Sequence, residues 1–304
     1  MTEIAVSVVL VVDGPGTGAA TIDSLRRQTL ADRLELVLVG PGVRPEAQLE
    51  AGLAALATID VPAHPLSVAR ARGIAASRGR AVFVAETHGF PRSDCLERLL
   101  AAIDAGAVAV MPRIVNANPE TARSYASLFS TYAAFTGSSA RRLRGVALHN
   151  AMFERARLTR AARHPVDLVY GVGVSDALAR ENAEMRFVPE AVIDHLNIVR
   201  SHGVLADRLS GGRLWAAVRS RSWTSPRRAA HVVGAPLAPV VMAGRIFGSH
   251  GWRALRSEVP RGTGALVVAF AVLQASGEVV GYLRGPGDAE RRHVQLELHR
   301  EAYI

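Results

Sequence analysis

The eight residues from Ala5 to Val12, AVSVVLVV, form a β-rich apolar run that stops abruptly at Asp13-Gly14-Pro15-Gly16. A strand with apolar side chains on both faces needs cover on both faces, which is the situation of a central strand in a parallel sheet. The residues that follow fit that frame. Helical spacing from Ala20 to Gln28 places Ile22, Leu25 and Leu30 on one side. Leu34 to Val39 reads as a second strand closed by Gly40-Pro41-Gly42. Ala47 to Ala57 reads as a helix, Val61 as the remnant of a short strand, and Ser67 to Ser77 as another helix, punctuated by Gly79. A strand over Ala81 to Ala85, a helix over Asp94 to Ala105 and a strand over Ala107 to Met111 complete the pattern. Strands and helices alternating at short intervals predict an α/β, Rossmann-like, mostly parallel sheet with helices on both faces.

One stretch inside this frame carries chemistry. In AVFVAETHGFP, residues 81–91, the apolar Val82-Phe83-Val84 gives way to Glu86-Thr87-His88 and then Gly89 and Pro91. A buried strand thus delivers polar side chains to a turn at its carboxyl end, where open α/β sheets bind ligands. The competing reading is a solvated turn whose His is satisfied by backbone. Gly14-Pro15-Gly16-Thr17-Gly18-Ala19 loosely matches the glycine pattern of a dinucleotide site. Against it, Pro15 stiffens the turn, and the second strand ends at Gly40 where an acid should meet the ribose.

Composition sets outer limits. A chain of 304 residues that is 49% apolar buries a substantial core and is not disordered. All 36 basic residues are Arg, which reflects either planar pairing with phosphate or carboxylate or a coding bias. Residues 201–304 hold 14 Arg against 7 acids, so most of the +9 charge belongs to the C-terminal third. The single cysteine, Cys95, excludes an internal disulfide framework and fits a reducing compartment. The start, MTEIAVSVVLVVDG, lacks the basic beginning and cleavage site of a signal peptide, so the chain is expected to begin in the cytosol.

The order of AVSVVLVV, TIDSLRRQTL, LELVLVG and SVARARGIAASRGRAVFVAETHGFP resembles the first half of a family 2 glycosyltransferase with the GT-A fold. Ser24-Leu25 and Gln28-Thr29 match the family's Ser-Leu and Gln-Thr pattern. Ala69-Arg70-Ala71-Arg72-Gly73 with Gly79 resembles its Ala-Arg-Asn segment. Downstream, GVALHNAMFERARL resembles the acceptor-side strand and helix, and VGVSDALARENAEMRFVPEAVIDHLN resembles the segment carrying the catalytic Asp and a metal-contacting His. The resemblance spans about Ile4 to Asn197. Three departures accompany it: Ala85-Glu86-Thr87-His88 replaces the Asp-x-Asp motif, Val39-Gly40-Pro41 replaces the base-contacting Asp, and Ala71 replaces the Asn.

The resemblance implies a nucleotide-sugar donor whose diphosphate is bridged by a divalent cation, Mn or Mg. Glu86 and His88, two apart across the turn, and His195 at the end of VIDH are the candidate metal ligands; a carboxylate with imidazoles suits manganese better than an all-oxygen site would. Glu86 and His88 can alternatively hydrogen-bond sugar hydroxyls with no metal. Asp176 is the candidate base of an inverting transfer, or an N-cap with Ser175 as competitor. Asp13 can touch the nucleoside or form an Asx turn. Arg70 can clamp phosphate, with Arg72 as an exposed helix residue. Asp194 is a lesser candidate, and His149 and Asn150 read as a cap or an acceptor contact.

From Ser201 the character changes. Leu214, Trp215, Val218 and Trp223 are interleaved with Arg213, Arg219, Arg221, Arg227 and Arg228, a mixture that suits an anionic lipid surface. Two apolar stretches follow, 229–243 and 265–273, each too short or too interrupted to span a bilayer. They read as interfacial or re-entrant helices, or as helices packed in a soluble body. Gly277 to Tyr282 resembles a glycine-containing C-terminal helix of membrane-associated members of the family. The expected division is therefore a GT-A-like domain over 1–200 and a basic, apolar helical region over 201–304. The expected activity is a hexosyltransferase-type inverting glycosyltransferase acting on a lipid-linked, polyprenyl-linked or cell-surface glycan. It would lie in the cytoplasm, peripheral at the inner face of the cell membrane, in a cell envelope polysaccharide role. Nucleic acid is not an expected partner. The rival readings are a GT-A-like binding or assembly protein that has lost catalysis, and a dinucleotide-dependent oxidoreductase.

Overall fold

A computed structural model describes residues 3–14 and 16–304, so the expectation placed on Pro15 lies outside the described residues. The chain forms two compact units, Met1–Val115 with Ser138–Asp194, and Asn116–Gly137 with His195–Ile304. A cut at residue 200 differs from this in two respects: residues 116–137 and 195–200 group with the C-terminal helices.

The first unit is built on one sheet. In chain order its elements are β1 (Val6–Val11), α1 (Ala19–Arg26), β2 (Leu34–Gly40), α2 (Ala47–Glu50), β3 (Ala55–Asp60), α3 (Leu66–Ala76), β4 (Ala81–Val84), β5 (Gly89–Pro91), α4 (Cys95–Asp104) and β6 (Ala109–Asn116). After α5 (Ala122–Tyr132) come β7 (Arg141–Arg142), β8 (Ala151–Glu154), α6 (Arg155–Ala161), α7 (Val172–Arg180) and β9 (Met185–His195). The strand order is β3-β2-β1-β4-β8-β6-β9-β5, with β7 on β9. Strands β3, β2, β1 and β4 run parallel, and β8 enters antiparallel between β4 and β6. β1 and β2 are buried along their whole length, as apolar runs on both faces require.

Two expectations need correction. The helix expected over 47–57 survives only as Ala47–Glu50; Gly52 takes a left-handed φ of 81° and the chain then becomes β3. The Ala-rich composition favours helix, but pairing with β2 overrides so weak a preference. The helix expected after residue 176 begins at Val172 instead, with Gly171 (φ 76°) as its N-cap. Asp176 is therefore inside α7 and does not cap it.

The family-like residues of α1 and α3 have mechanical roles. Gln28 is buried; its Nε2 donates to the carbonyls of Ser24, Pro91 and Arg92, and its Oε1 accepts from the Leu96 N–H, pinning the turn into α4. Gly73 lets α3 approach β1, since a Cβ there would press on Val9. At the amino end of the strands Glu35, fully buried, accepts from Ser7 Oγ, the Arg78 N–H and Arg78 Nε.

The second unit is helical: α5, then α8 (Ser201–Arg219), α9 (Ser225–Val233), α10 (Ala238–Phe247), α11 (His250–Leu255), α12 (Thr263–Arg284) and α13 (Ala289–Leu298). Its core joins Ala126 and Phe129 of α5 to Val204, Val267, Phe270 and Leu296. α8 and α12 touch backbone to backbone, because a Cβ at Gly212, Gly277 or Gly281 would strike main-chain atoms of the facing helix. The apolar stretch expected at 265–273 is part of a 22-residue helix, so the expectation that nothing here is long enough to span a bilayer is corrected. Length and composition permit a crossing, and 44% of its most apolar window is buried inside the protein.

Candidate active site

The site is assembled at the carboxyl end of β4. Four buried residues, Ala81 to Val84, pair with β1 on one side and β8 on the other, which fixes where the next residues emerge. The turn is then held from α1, whose Thr21 hydroxyl lies 3.1 Å from the Glu86 carbonyl and 3.3 Å from that of Gly89. From the opposite side comes Asn150, which donates its backbone N–H to the Val84 carbonyl at 2.7 Å. It has a left-handed φ of 53°, rare for a residue with a side chain. That conformation lets its Nδ2 donate to Glu86 Oε2 at 2.5 Å. Gly89 leaves room for it, since a Cβ there would lie 2.7 Å from Asn150 Oδ1.

Glu86, Thr87, His88, His149 and Asn150 are all buried. A buried carboxylate requires donors or a cation, and Glu86 has imidazoles on both oxygens: His88 Nε2 is 3.6 Å from Oε2 and His149 Nε2 is 3.8 Å from Oε1. β9 carries a third imidazole to the same corner. Glu86, His88 and His195 each offer a ligand atom, and these atoms lie within 4.8 Å of one another. One carboxylate and two imidazoles fit a divalent transition ion, which would bind each at ~2.0–2.2 Å.

His195 is itself held. Its Nδ1 is 3.1 Å from Asn197 Oδ1, and the ring of Tyr132 meets it edge-on at 5.0 Å. Asn197 is in turn fixed by Asn116 and Asn118. The Nδ2 of Asn116 is buried with no partner among the described residues, a cost of about 1–3 kcal/mol.

The remaining candidates are placed as follows. Asp13, half-buried after β1, accepts from Thr17 Oγ1 at 3.0 Å. Arg70 is buried and its Nη1 donates to the carbonyls of Leu168 and Val169, tying α3 to the segment before α7. Asp176 is exposed in the second turn of α7, while Ser175 exchanges hydrogen bonds with the backbone of Val146. Asp194 pairs with Arg92 through two contacts of 2.9 and 3.0 Å. At the end of β2 a Cβ on Gly40 would collide with the Val12 carbonyl, so no acid fits there. Asp60, one strand further out, accepts instead from the Gly42 N–H at 2.8 Å. A cleft lies beside these strand ends, lined by Val12, Thr17, Ile22, Leu38, Arg44 and Leu49 among others.

Sequence reasoning gave Asn150 no part in holding Glu86 and passed over Asn197. Each is an ordinary loop residue locally, and each acquires its role from a partner far away in the chain. The pair His149-Asn150 directly before a strand was the one available signal.

A parallel β3-β2-β1-β4 half-sheet with an antiparallel β8 and a polar corner after β4 defines a GT-A glycosyltransferase fold. Among solved structures, GalNAc-T7 with UDP, GalNAc and Mn2+ matches 75% of this chain at 17% identity and a TM-score of 0.50. The chain spans about half, 51%, of that protein. S. aureus TarS 1-349, in complex with UDP and with UDP-GlcNAc, matches 94% of the chain and 91% and 92% of its own length, at 13% identity and TM-scores of 0.46 and 0.48. No curated protein matches the chain. The profile described as Glycosyl transferase family 2 matches residues 19–162, which include Glu86, His88, His149 and Asn150. That match covers just under half of the chain, and the fold is GT-A; within the matched segment Ala85-Glu86-Thr87-His88 stands where the family resemblance places Asp-x-Asp.

Proposed function

We propose that the protein is an inverting hexosyltransferase that moves a sugar from a nucleotide-sugar donor to a lipid-linked or cell-surface glycan. The observation that carries this reading is the convergence of Glu86, His88 and His195 at the carboxyl end of β4. The fold neighbour GalNAc-T7, whose structure contains UDP, GalNAc and Mn2+, supports the donor class. Glu86, His88 and His195 would hold a divalent cation, manganese before magnesium, which would supply charge neutralisation for the departing diphosphate. The cleft beside Asp13 takes the nucleoside. Asp176 accepts the proton of the acceptor hydroxyl as its oxygen bonds to the anomeric carbon. The bond from that carbon to the phosphate oxygen breaks, its electron pair leaves with the diphosphate, and the configuration inverts.

Thermal-shift measurements across nucleoside diphosphates, with and without manganese, test the reading. Stabilisation by a nucleotide with manganese is expected, and Glu86→Ala, His88→Ala and His195→Ala combined should remove it. Asp176→Asn should keep the shift and lose about 10²–10⁴-fold in transfer rate. Indifference to every nucleotide would overturn the proposal. It would favour the second reading, a GT-A-like binding or assembly protein without catalysis, which the closed seam at Gly40 supports by denying the base its usual acid.

The acceptor side of the proposal rests on the second unit. Between Arg208 and Gly277 there are ten Arg and one acid, Glu258. α9 has no buried residue, α10 only Ala243, and Val233, Leu237, Val240 and Val241 are exposed. An apolar arc set among arginines suits peripheral attachment to an anionic membrane, here assigned to its cytoplasmic face. Flotation with liposomes containing anionic lipid is expected, reduced at least tenfold in Val233→Glu/Val240→Glu; equal flotation with neutral vesicles would argue against it.

A further inference from the structure

The second unit contains a buried amide network whose members are oriented by backbone groups, and this fixes a proton. The Asn118 backbone N–H donates to the Asn116 side chain at 3.1 Å, so the accepting atom is Oδ1. That oxygen faces one side-chain atom of Asn197 at 2.9 Å, and the same Asn197 atom lies 3.0 Å from the His195 carbonyl. An atom between two acceptors is a donor, so it is Nδ2. The other end of the Asn197 amide is then Oδ1, and it lies 3.1 Å from His195 Nδ1. An oxygen there accepts only if Nδ1 carries hydrogen. Asn118 locks the arrangement by accepting the Asn197 backbone N–H at 2.9 Å and donating to the Asn197 carbonyl at 2.9 Å. Ser124 Oγ closes the ring of contacts, 2.9 Å from Asn116 Oδ1 and 3.0 Å from Asn118 Oδ1.

We propose that Asn197, held by Asn116 and Asn118, is a positioning residue that keeps neutral His195 in the Nδ1–H tautomer and so presents its Nε2 lone pair as a metal ligand. The metal half of this statement rests on the cation site proposed above; the tautomer half does not. Metal-bound imidazoles commonly donate their second N–H to a fixed acceptor, and loss of that acceptor lowers metal affinity about 10–100-fold. A side-chain amide in that role is neutral, so it orients the ring without adding charge to the site. The unpartnered Asn116 Nδ2 fits this account, because flipping that amide to seek a partner would set a nitrogen against the Asn118 N–H and undo the chain of orientations.

Long-range ¹H–¹⁵N correlation spectra of histidine-labelled full-length protein at neutral pH read the tautomer directly, with His195 assigned by its loss in His195→Gln. The expected pattern is a protonated Nδ1 and a bare Nε2. Asn197→Asp should preserve it, and Asn197→Leu should abolish it. Manganese binding, followed by electron paramagnetic resonance with UDP present, should weaken about 10–100-fold in Asn197→Leu and change only a few-fold in Asn197→Asp. A wild-type Nε2–H tautomer overturns the proposal, and this needs no variant to fold. Unchanged manganese affinity in Asn197→Leu overturns it too. An Nδ1–H tautomer with no manganese bound by the wild type upholds the network's action on His195 and overturns the cation site instead.

Discussion

Asn150 shows how much of the corner rests on single side chains. It joins Val84 to Glu86 and does so from a left-handed backbone. Asn150→Ala is expected to destabilise the protein by about 1–3 kcal/mol in chemical denaturation, because a buried carboxylate loses a donor and Ala tolerates that φ poorly. Asn150→Gly relieves the backbone and keeps the loss at Glu86, so it should fall between. The location of the corner was legible in the sequence because an apolar run that breaks into Glu-Thr-His marks the carboxyl end of a buried strand, where open α/β sheets bind ligands. The resemblance to the family added His195. The roles of Asn150 and Asn197 were not legible, since their partners lie 64 and 81 residues away and Asn in a loop is usually a turn residue. Asp176 was legible as a candidate, but its cap alternative failed because Gly171 starts α7 one turn earlier.

At the scale of elements, β1, β2 and β4 were readable from their apolar runs, whereas β3 was not, because its helix-favouring alanines are recruited by β2. The α8–α12 pair depends on glycine. Gly277→Ala or Gly281→Ala should cost about 1–3 kcal/mol by forcing the helices apart, seen as a lowered Tm. α12 also buries Glu278, whose carboxyl is pushed above the usual range by burial and receives the Tyr282 hydroxyl at 3.3 Å. The Tyr282 phenol is pushed up to about 12, by burial first and the Glu278 charge second. The native protein therefore keeps the Glu278 proton to higher pH than the unfolded chain does. Its contribution is fully present below the unfolded carboxylate range and is lost as pH rises through the native value. Glu278→Gln, neutral at every pH, should raise Tm at pH 8 and lose that advantage near pH 4; an equal gain at both would contradict the assignment.

At the scale of the molecule, the helical unit is made of two separate pieces of chain. A fragment ending at residue 200 contains α5 without α12 or α13, leaving Ala126, Phe129 and Ala133 uncovered. Such a fragment is expected to aggregate or bind a hydrophobic dye, while Phe129→Ala in the full chain should cost about 3–5 kcal/mol. The same discontinuity has a temporal meaning. On the ribosome Phe129 is made well before its neighbours Val267 and Phe270, and at ~5–20 residues per second that interval is roughly 7 to 28 seconds. For about the first half of that time the apolar side of α5 has none of its later partners, and Ile198 and Val204 then cover it only in part, so the nascent protein exposes apolar surface that the completed one buries.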